Sequence, residues 1–307
     1  MAVRGRHGQK GTGALGLLLA IVFFAAAVCA VLVASGVMSL PGSASSSQEP
    51  AVPASPALEV KAANDYSWEE LSRVSALVSA APDDASGLAI ALEYGLVDQD
   101  GVPVSADIEV PLSDGTLAHA QLVGVRHDVR ADGTPAGLTY MLSVVADQPM
   151  CATDSTEGGW EKSGLRSWAA SVGKALRPAE LSSRLVAVGK ATNNVGVTEE
   201  AAAVTVTTDE LWCFSAVEAC GPVTWFADEY GPTMSSYDAL LDAEGSQYAY
   251  YSAGNSIPKT QNGTWKQWFE RSPYGSSSTD FCMVNNYGQA GKIIATNMHG
   301  VAFGFCF

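Results

Sequence analysis

The residue types in this chain that could support catalysis do not form a complete set. His127-Asp128 could place a carboxylate beside an imidazole, but no G-x-S-x-G serine and no H-E-x-x-H pair accompanies it. We therefore expect His127 to be structural or to lie at the surface. The carboxylates that could form a glycosidase-type pair or a calcium site are Glu218, Asp228, Glu229, Asp242 and Glu244.

An acidic chain brings carboxylates together by chance. Asp and Glu number 32 here, and none of them shows the ordered spacing of a calcium loop. We therefore assign no catalytic residue, no metal and no cofactor from the sequence.

The cysteines permit disulfides without fixing them. Outside the apolar N-terminal segment they are Cys151, Cys213, Cys220, Cys282 and Cys306. An odd number leaves at least one unpaired or paired between chains. A bridge could join Cys213 to Cys220, or Cys282 to Cys306, in an oxidising compartment. Buried thiols are the alternative, and without a C-x-x-C pair a zinc site is not expected.

The aromatic residues divide into a predicted core set and a predicted ligand-binding set. Trp160, Trp212 and Trp268 lie in regular elements and are expected in the core. Three others fall in or beside irregular sequence, where aromatic rings could contact a sugar or a partner protein: Trp225, Trp265 and Tyr274.

Two arginines stand near tryptophan and serine in sequence that is otherwise poor in arginine. They are Arg166 and Arg271. We expect each to be buried and hydrogen-bonded to loop carbonyls.

The N-terminal segment predicts the location of the protein. No charge interrupts residues 14–36, and Arg4, Arg6 and Lys10 precede them. This pattern is typical of a signal anchor, with residues 1–13 in the cytoplasm, a Ser/Pro/Ala-rich stalk at 37–60 and an extracellular domain at 61–307. The alternative is a signal peptide cleaved near Ser43-Ala44, which would release a secreted protein.

The net charge excludes one class of partner. The chain carries −15, and the first 40 residues hold three basic and no acidic groups, so the remainder carries −18. Binding to a phosphate backbone requires clustered Lys and Arg. We expect no nucleic-acid partner.

The periodicity predicts an α+β domain. Ser67-Trp68-Glu69-Glu70 has the form of a capping box ahead of a helix, and further helices are expected at 83–94 and 162–172. Alternation around Asp114-Gly115 predicts a β-hairpin, and further strands are expected up to the C-terminus. Residues 221–263 show little periodicity and are predicted to be a long irregular loop. The result is a mixed domain with short helices and a twisted antiparallel sheet.

Several runs, in this order, resemble one bacterial family. They include YSWEELSRVSALVS, GGWEKSGLRSW, VAVGKATN, TTDELWCFSAVE, WFERSP and GVAFGFCF, over about residues 66–307. The family is domain-of-unknown-function family 6273, and the resemblance implies no activity, cofactor or catalytic residue.

The architecture is also similar, more weakly, to C-type-lectin-like domains, which include formylglycine-generating enzymes. That likeness invites comparison of Cys282 and Cys306 with a catalytic cysteine pair, although no motif matches.

Together these features predict a membrane-anchored surface protein. Its extracellular domain is expected to bind a glycan or a protein as an adhesion module. The alternatives are an extracellular enzyme, either a hydrolase or a cysteine-dependent oxidase, and a structural component of an envelope or phage-related assembly.

Overall fold

The first helix begins where the capping box predicts it. Helix α1 (Trp68–Ser79) has Ser67 as N-cap, and the side chains of Ser67 and Glu70 each accept a hydrogen bond from the other's backbone N–H. Ser75, on the buried face of this helix, also hydrogen-bonds to two distant parts of the chain. The Ser75 hydroxyl donates to the carbonyl of Phe307 at 3.1 Å and accepts from the N–H of Leu138 at 3.0 Å.

The computed structural model describes residues 58–173, 179–222, 235–257 and 259–307. Leu58–Phe307 form one compact unit. Within the described ranges, no helix is long and apolar enough to cross a bilayer. The predicted anchor at 14–36 lies outside these ranges, as does most of the predicted stalk.

The helices are short and the strands dominate the domain. The remaining helices are α2 (Asp84–Glu93), α3 (Gly164–Trp168), α4 (Ala179–Ser182), α5 (Ala216–Cys220), α6 (Ser235–Asp242) and α7 (Ala249–Ser252). Two 3₁₀ turns, at Ala63–Asp65 and Ala201–Ala203, and one π-helical turn, at Ala169–Gly173, complete the helical elements of the described residues.

The strands of the described residues form two five-stranded sheets and two hairpins. In chain order they are β1 (Ile108–Pro111), β2 (Leu117–Val125), β3 (Leu138–Leu142), β4 (Ala146–Gln148), β5 (Val188–Asn193), β6 (Val204–Asp209), β7 (Trp212–Cys213), β8 (Lys259–Gln261), β9 (Thr264–Lys266), β10 (Trp268–Pro273), β11 (Asp280–Val284), β12 (Ala290–Ile294), β13 (His299–Val301) and β14 (Phe303–Cys306). The sheet orders are β1-β2-β3-β14-β7 and β12-β11-β10-β13-β4, and β5-β6 and β8-β9 pair separately. Pairing is antiparallel except between β10 and β13.

The C-terminal strand lies inside the first sheet. Strand β14 pairs with β3 on one side and β7 on the other. Its aromatic residues pack under α1, where the rings of Trp68 and Tyr140 lie 5.6 Å apart and Phe305 stacks on Tyr140 at 5.6 Å. The mixed α+β architecture predicted from periodicity is therefore confirmed.

Two predicted elements were wrong in detail. The helix expected over 162–172 is α-helical only as α3, and a π-helical turn at Ala169–Gly173 follows it. Residues 221–263 were expected to be one irregular loop, but they contain α6, α7 and β8. These helices pack their apolar residues against the core, including Leu240, Leu241 and Tyr251, a tertiary contact that short-range periodicity does not report.

An arginine holds the β2–β3 connection against α1. Arg126 adopts a left-handed backbone with φ of 52°. Its Nη1 donates to the carbonyls of Val78, Ser79 and Ala81, at and just beyond the C-terminal end of α1. The strained backbone is thus compensated by helix capping, and it fixes the direction of the chain two residues before Asp128.

The contact between α1 and β3 predicts a steric cost at Gly137. A Cβ there would lie 2.0 Å from the carbonyl oxygen of Ser75. We expect Gly137→Ala to lower the free energy of unfolding by about 1–3 kcal/mol, because two backbones must separate. Urea unfolding followed by tryptophan fluorescence measures this. Gly164→Ala is the matched control, since its nearest neighbour would lie at 3.6 Å, and equal stability of the two variants would contradict the contact.

Candidate functional site

Of the predicted aromatic ligand-binding set, the structure describes Trp265 and Tyr274. Trp265 on β9 is exposed, at 56 % of its surface, as expected. Tyr274 was expected to be exposed and is buried at 2 %, so this expectation was wrong; it packs with Cys282, and Lys292 lies over its ring at 4.5 Å. Trp225 lies outside the described residues.

The other aromatic predictions are confirmed. Trp160, Trp212 and Trp268 are fully buried. His127 is structural, because its ring stacks on Tyr248 with 3.9 Å between centroids, and burial lowers its pKa. This stacking orients the residue next to Asp128.

Neither of the disulfides that the sequence permits, Cys213–Cys220 and Cys282–Cys306, is formed in the described part of the chain. The five cysteines of the described part of the chain are all thiols. Cys213 and Cys306 lie on neighbouring strands of the first sheet, whereas Cys282 lies in the second sheet. Burial raises the pKa of the Cys213 and Cys306 thiols, so these groups keep their protons and are poor nucleophiles.

The chemistry-bearing side chains meet instead in a buried network of charges. Its centre is Lys190 on β5, whose Nζ lies 2.7 Å from Asp128 Oδ1 and 2.7 Å from Glu218 Oε1. All three side chains are 2–4 % exposed. The Lys190 ammonium also lies 4.6 Å from the centre of the Trp212 ring. We call the residues linked to Lys190 by these and the following contacts the buried charge network.

Asp128 is held from three sides by hydrogen-bond donors. Thr139 donates to Oδ2 at 2.6 Å, and the Tyr248 hydroxyl lies 2.9 Å from Oδ2 and 3.0 Å from Oδ1. The Cys306 thiol lies 3.5 Å from Oδ2. Burial alone would raise the pKa of Asp128, but the charges of Lys190 and His127 and the hydrogen bonds from Lys190 and Thr139 together outweigh it, and the pKa falls to about 2.

Glu218 belongs to the capping box at the start of α5, and its carboxylate contacts both cations of the buried charge network. Ser215 caps α5, and Glu218, three residues later, accepts from the Ser215 N–H at 3.0 Å. The guanidinium of Arg271 on β10 contacts both carboxylate oxygens. Because Arg271 and Lys190 outweigh burial, the pKa of Glu218 is lowered. Glu218 is therefore a carboxylate shared by two cations.

Arg271 joins the second sheet to the β5–β6 hairpin. It is fully buried and donates to the carbonyls of Ala191, Cys213 and Glu244. The prediction of a buried arginine bonded to loop carbonyls is thus confirmed for Arg271, although the sequence did not indicate its partner Glu218. The same prediction for Arg166 was wrong on burial, because Arg166 donates to carbonyls but is only half-buried.

Two further buried acids, Glu244 and Glu270, have raised pKa values. Glu244 accepts from the N–H of Asn193 at 2.8 Å and from the Ser272 hydroxyl, and burial raises its pKa to about 7. Glu270 accepts from the Cys220 thiol at 3.7 Å, and its Oε2 has no hydrogen-bond partner within the described residues. Burial raises the pKa of Glu270 to about 8. Two cations thus balance two carboxylates when Glu244 and Glu270 are protonated.

An open cleft lies beside α3. Its volume is about 390 Å³, and it is lined by Arg166, Ser167, Ala169, Ala170, Ala187, Thr208, Asp209, Glu210 and Leu211. Arg166 Nε donates to Asp209 Oδ1 at 2.7 Å, and its Nη atoms donate to the carbonyls of Glu161 and Thr208. Asp209 also accepts from Trp160 at 3.1 Å and from Thr207 at 2.6 Å. The polar wall of the cleft is therefore rigid.

Sequence reasoning missed Lys190 and Asp128 as interaction partners. The signal at Lys190 is its position between Val188 and Thr192, since alternate residues of a strand share one face. Asp128 carries no comparable signal, because its position depends on Arg126 and on the register of β2 and β3.

Comparison with known proteins identifies one family model. It is described as Domain of unknown function (DUF6273) and matches residues 141–305. The matched range contains Lys190, Glu218 and Arg271, whereas Asp128 precedes it. No curated protein and no solved structure matches the chain.

The raised pKa of Glu270 predicts a fall in stability with rising pH. An unfolded glutamic acid titrates near 4.5 and folded Glu270 near about 8, so between these values the folded state binds more protons. We expect the free energy of unfolding of the wild type to fall by about 1–3 kcal/mol more than that of Glu270→Gln between about pH 5 and about pH 8.5.

Urea unfolding at several pH values measures this difference. Exposed Glu109→Gln, on β1, is the control and should follow the wild type. Parallel pH profiles of wild type and Glu270→Gln would contradict a buried, proton-holding Glu270.

Proposed function

This chain belongs to the DUF6273 family, and we propose that it is a membrane-anchored surface protein whose extracellular domain binds a glycan or a protein. The observation that carries the proposal is the polar cleft beside α3. A cleft with a few fixed polar groups is the usual form of a ligand site in a globular domain.

The lining of the cleft suits a ligand rich in hydroxyl groups. Ser167 and Thr208 offer hydroxyls, Glu210 a carboxylate, and Arg166 a guanidinium held in place by Asp209. Such groups pair with sugar hydroxyls without requiring a strongly charged ligand, so we favour a glycan. Trp265 offers a separate exposed ring, and Trp225 remains a candidate outside the described residues. A C-type-lectin-like relationship is part of this proposal.

The burial of the acids and thiols favours binding over catalysis. Glu218, through its carboxylate, and Glu244, through its backbone carbonyl, both accept from Arg271, but the two residues are only 3 % and 1 % exposed. Cys282 and Cys306 are fully buried. A substrate would have to open the core to reach either pair.

A substitution that fills the cleft tests the proposed site. Ala170 is exposed and lines the cleft, so Ala170→Trp should occupy the volume without disturbing the core. We expect full-length protein in detergent to bind glycans on an array, and Ala170→Trp to weaken the strongest signal about tenfold or more.

The matched control for the cleft is Ala76→Trp. This alanine is exposed on α1 and does not line the cleft. Equal binding by Ala170→Trp and Ala76→Trp would exclude the cleft as the site, and Trp265→Ala would then show whether the exposed ring binds instead.

The proposed location has its own test. If residues 14–36 anchor the chain with its domain outside, a protease added to intact cells should cut the 61–307 domain as readily as in lysed cells. A cytoplasmic protein serves as the control for intact membranes. Protection of the domain in intact cells would refute the location, and release of the whole domain into the medium would indicate a cleaved signal peptide.

A further inference from the structure

Lys190 lies in a setting that differs from an ordinary ion pair. Its Nζ is 2.7 Å from Asp128 Oδ1, and the carboxyl carbon of Asp128 is bonded directly to that oxygen. On its other side, Nζ is 2.7 Å from Glu218 Oε1. The Lys190 amine, the Asp128 carboxyl and the Glu218 carboxylate are therefore linked by successive contacts, and they could serve as nucleophile, acyl group and base. Both lysine contacts are sealed from solvent, with side-chain exposure of 2–4 %.

The two oxygens of Asp128 have different surroundings. Oδ2 is bound by the Thr139 hydroxyl at 2.6 Å and the Tyr248 hydroxyl at 2.9 Å, with the Cys306 thiol at 3.5 Å. Oδ1 faces Lys190. Donors gathered at one carboxyl oxygen stabilise the negative charge that develops there when a nucleophile adds to the carbon. Oδ1 is then the oxygen that leaves.

We propose that Lys190 and Asp128 become joined by an intramolecular isopeptide bond between Nζ and the side-chain carboxyl carbon, formed within the folded domain with Glu218 as the proton carrier. This inference does not depend on the proposed binding function.

The reaction needs no oxidant, cofactor or second protein. One proton moves from the Lys190 ammonium to Asp128 Oδ1, which gives an amine and a carboxylic acid. The amine lone pair forms the new N–C bond, and the electron pair of the C=O bond moves to Oδ2. Glu218 accepts one proton from the nitrogen and returns it to Oδ1. The C–Oδ1 bond then breaks, the C=O bond re-forms at Oδ2, and the products are a secondary amide and one water molecule.

Three features of the network favour this step. Fixing amine and acyl carbon in contact replaces a bimolecular encounter by an intramolecular one, which is worth a very large effective concentration. Exclusion of water slows hydrolysis of the amide once it has formed. Arg271 contacts both oxygens of Glu218, whereas the hydroxyls of Thr139 and Tyr248 contact Asp128 Oδ2, so Asp128 is the acyl group of the proposed step and Glu218 the base.

The chain offers a matched ion pair that should not react. Lys266 Nζ lies 2.7 Å from Asp147 Oδ2, the same distance as in the buried pair. These two side chains are 32 % and 37 % exposed, so water solvates both ions.

Intact mass and peptide mapping of the full-length purified protein test the proposal. We expect the mass to lie one water molecule below that of the sequence after any N-terminal processing is assigned. We also expect a branched tryptic peptide joining Lys190 to Asp128, with no cleavage after Lys190, while trypsin cleaves after Lys266.

Two variants separate bond formation from folding. Lys190→Arg keeps the positive charge beside Asp128 but offers no primary amine, so it should show the full mass. Lys266→Arg should retain the loss of one water. If Lys190→Arg fails to fold, the wild-type peptide map still decides. A full-mass, folded wild type that is cleaved after Lys190 would overturn the proposal, as would a branch that joins Lys190 to Glu218.

Discussion

The domain depends on one lysine that two carboxylates share inside the protein. A buried ammonium is strongly unfavourable unless opposite charge and hydrogen bonds replace its water. Lys190 meets this need with Asp128 and Glu218, each at 2.7 Å, and with the ring of Trp212. The three charged side chains belong to distant parts of the chain, so they meet only when the first sheet, the β5–β6 hairpin and α5 are all in place.

The charge balance of this network explains the unusual acids around it. Arg271 supplies the second cation, and Asp128 and Glu218 supply two carboxylates, which leaves no countercharge for Glu244 and Glu270. Their raised pKa values, about 7 and about 8, keep them in the neutral form over much of the acidic and neutral range. The surroundings thus divide six ionisable groups into four charged and two uncharged ones.

The buried charge network and the cleft proposed for ligand binding lie in different parts of the domain. The groups with the strongest chemistry lie at the junction of the sheets, where they bind one another and exclude solvent. The accessible polar surface lies elsewhere, in the cleft beside α3, where Asp209 fixes Arg166 by a hydrogen bond of 2.7 Å. An isopeptide bond at Lys190 would extend the same division, because a covalent link in the core resists unfolding and leaves the cleft unchanged.

The sequence by itself determined the local elements and the class of fold. The Ser67–Glu70 capping box, the hairpin around Asp114-Gly115 and the strand character of the C-terminus are set by neighbours a few residues apart, which is the range over which periodicity and capping act. The burial of Trp160, Trp212 and Trp268 followed for the same reason. Tertiary structure decided what these elements bring together. Tyr274 is buried because α6 and β12 residues cover it, and the partnership of Asp128 with Lys190 spans 62 residues and depends on sheet register. Electrostatic pairing depends on distance in space and not on separation along the chain, so only the folded structure shows which charged residues are paired.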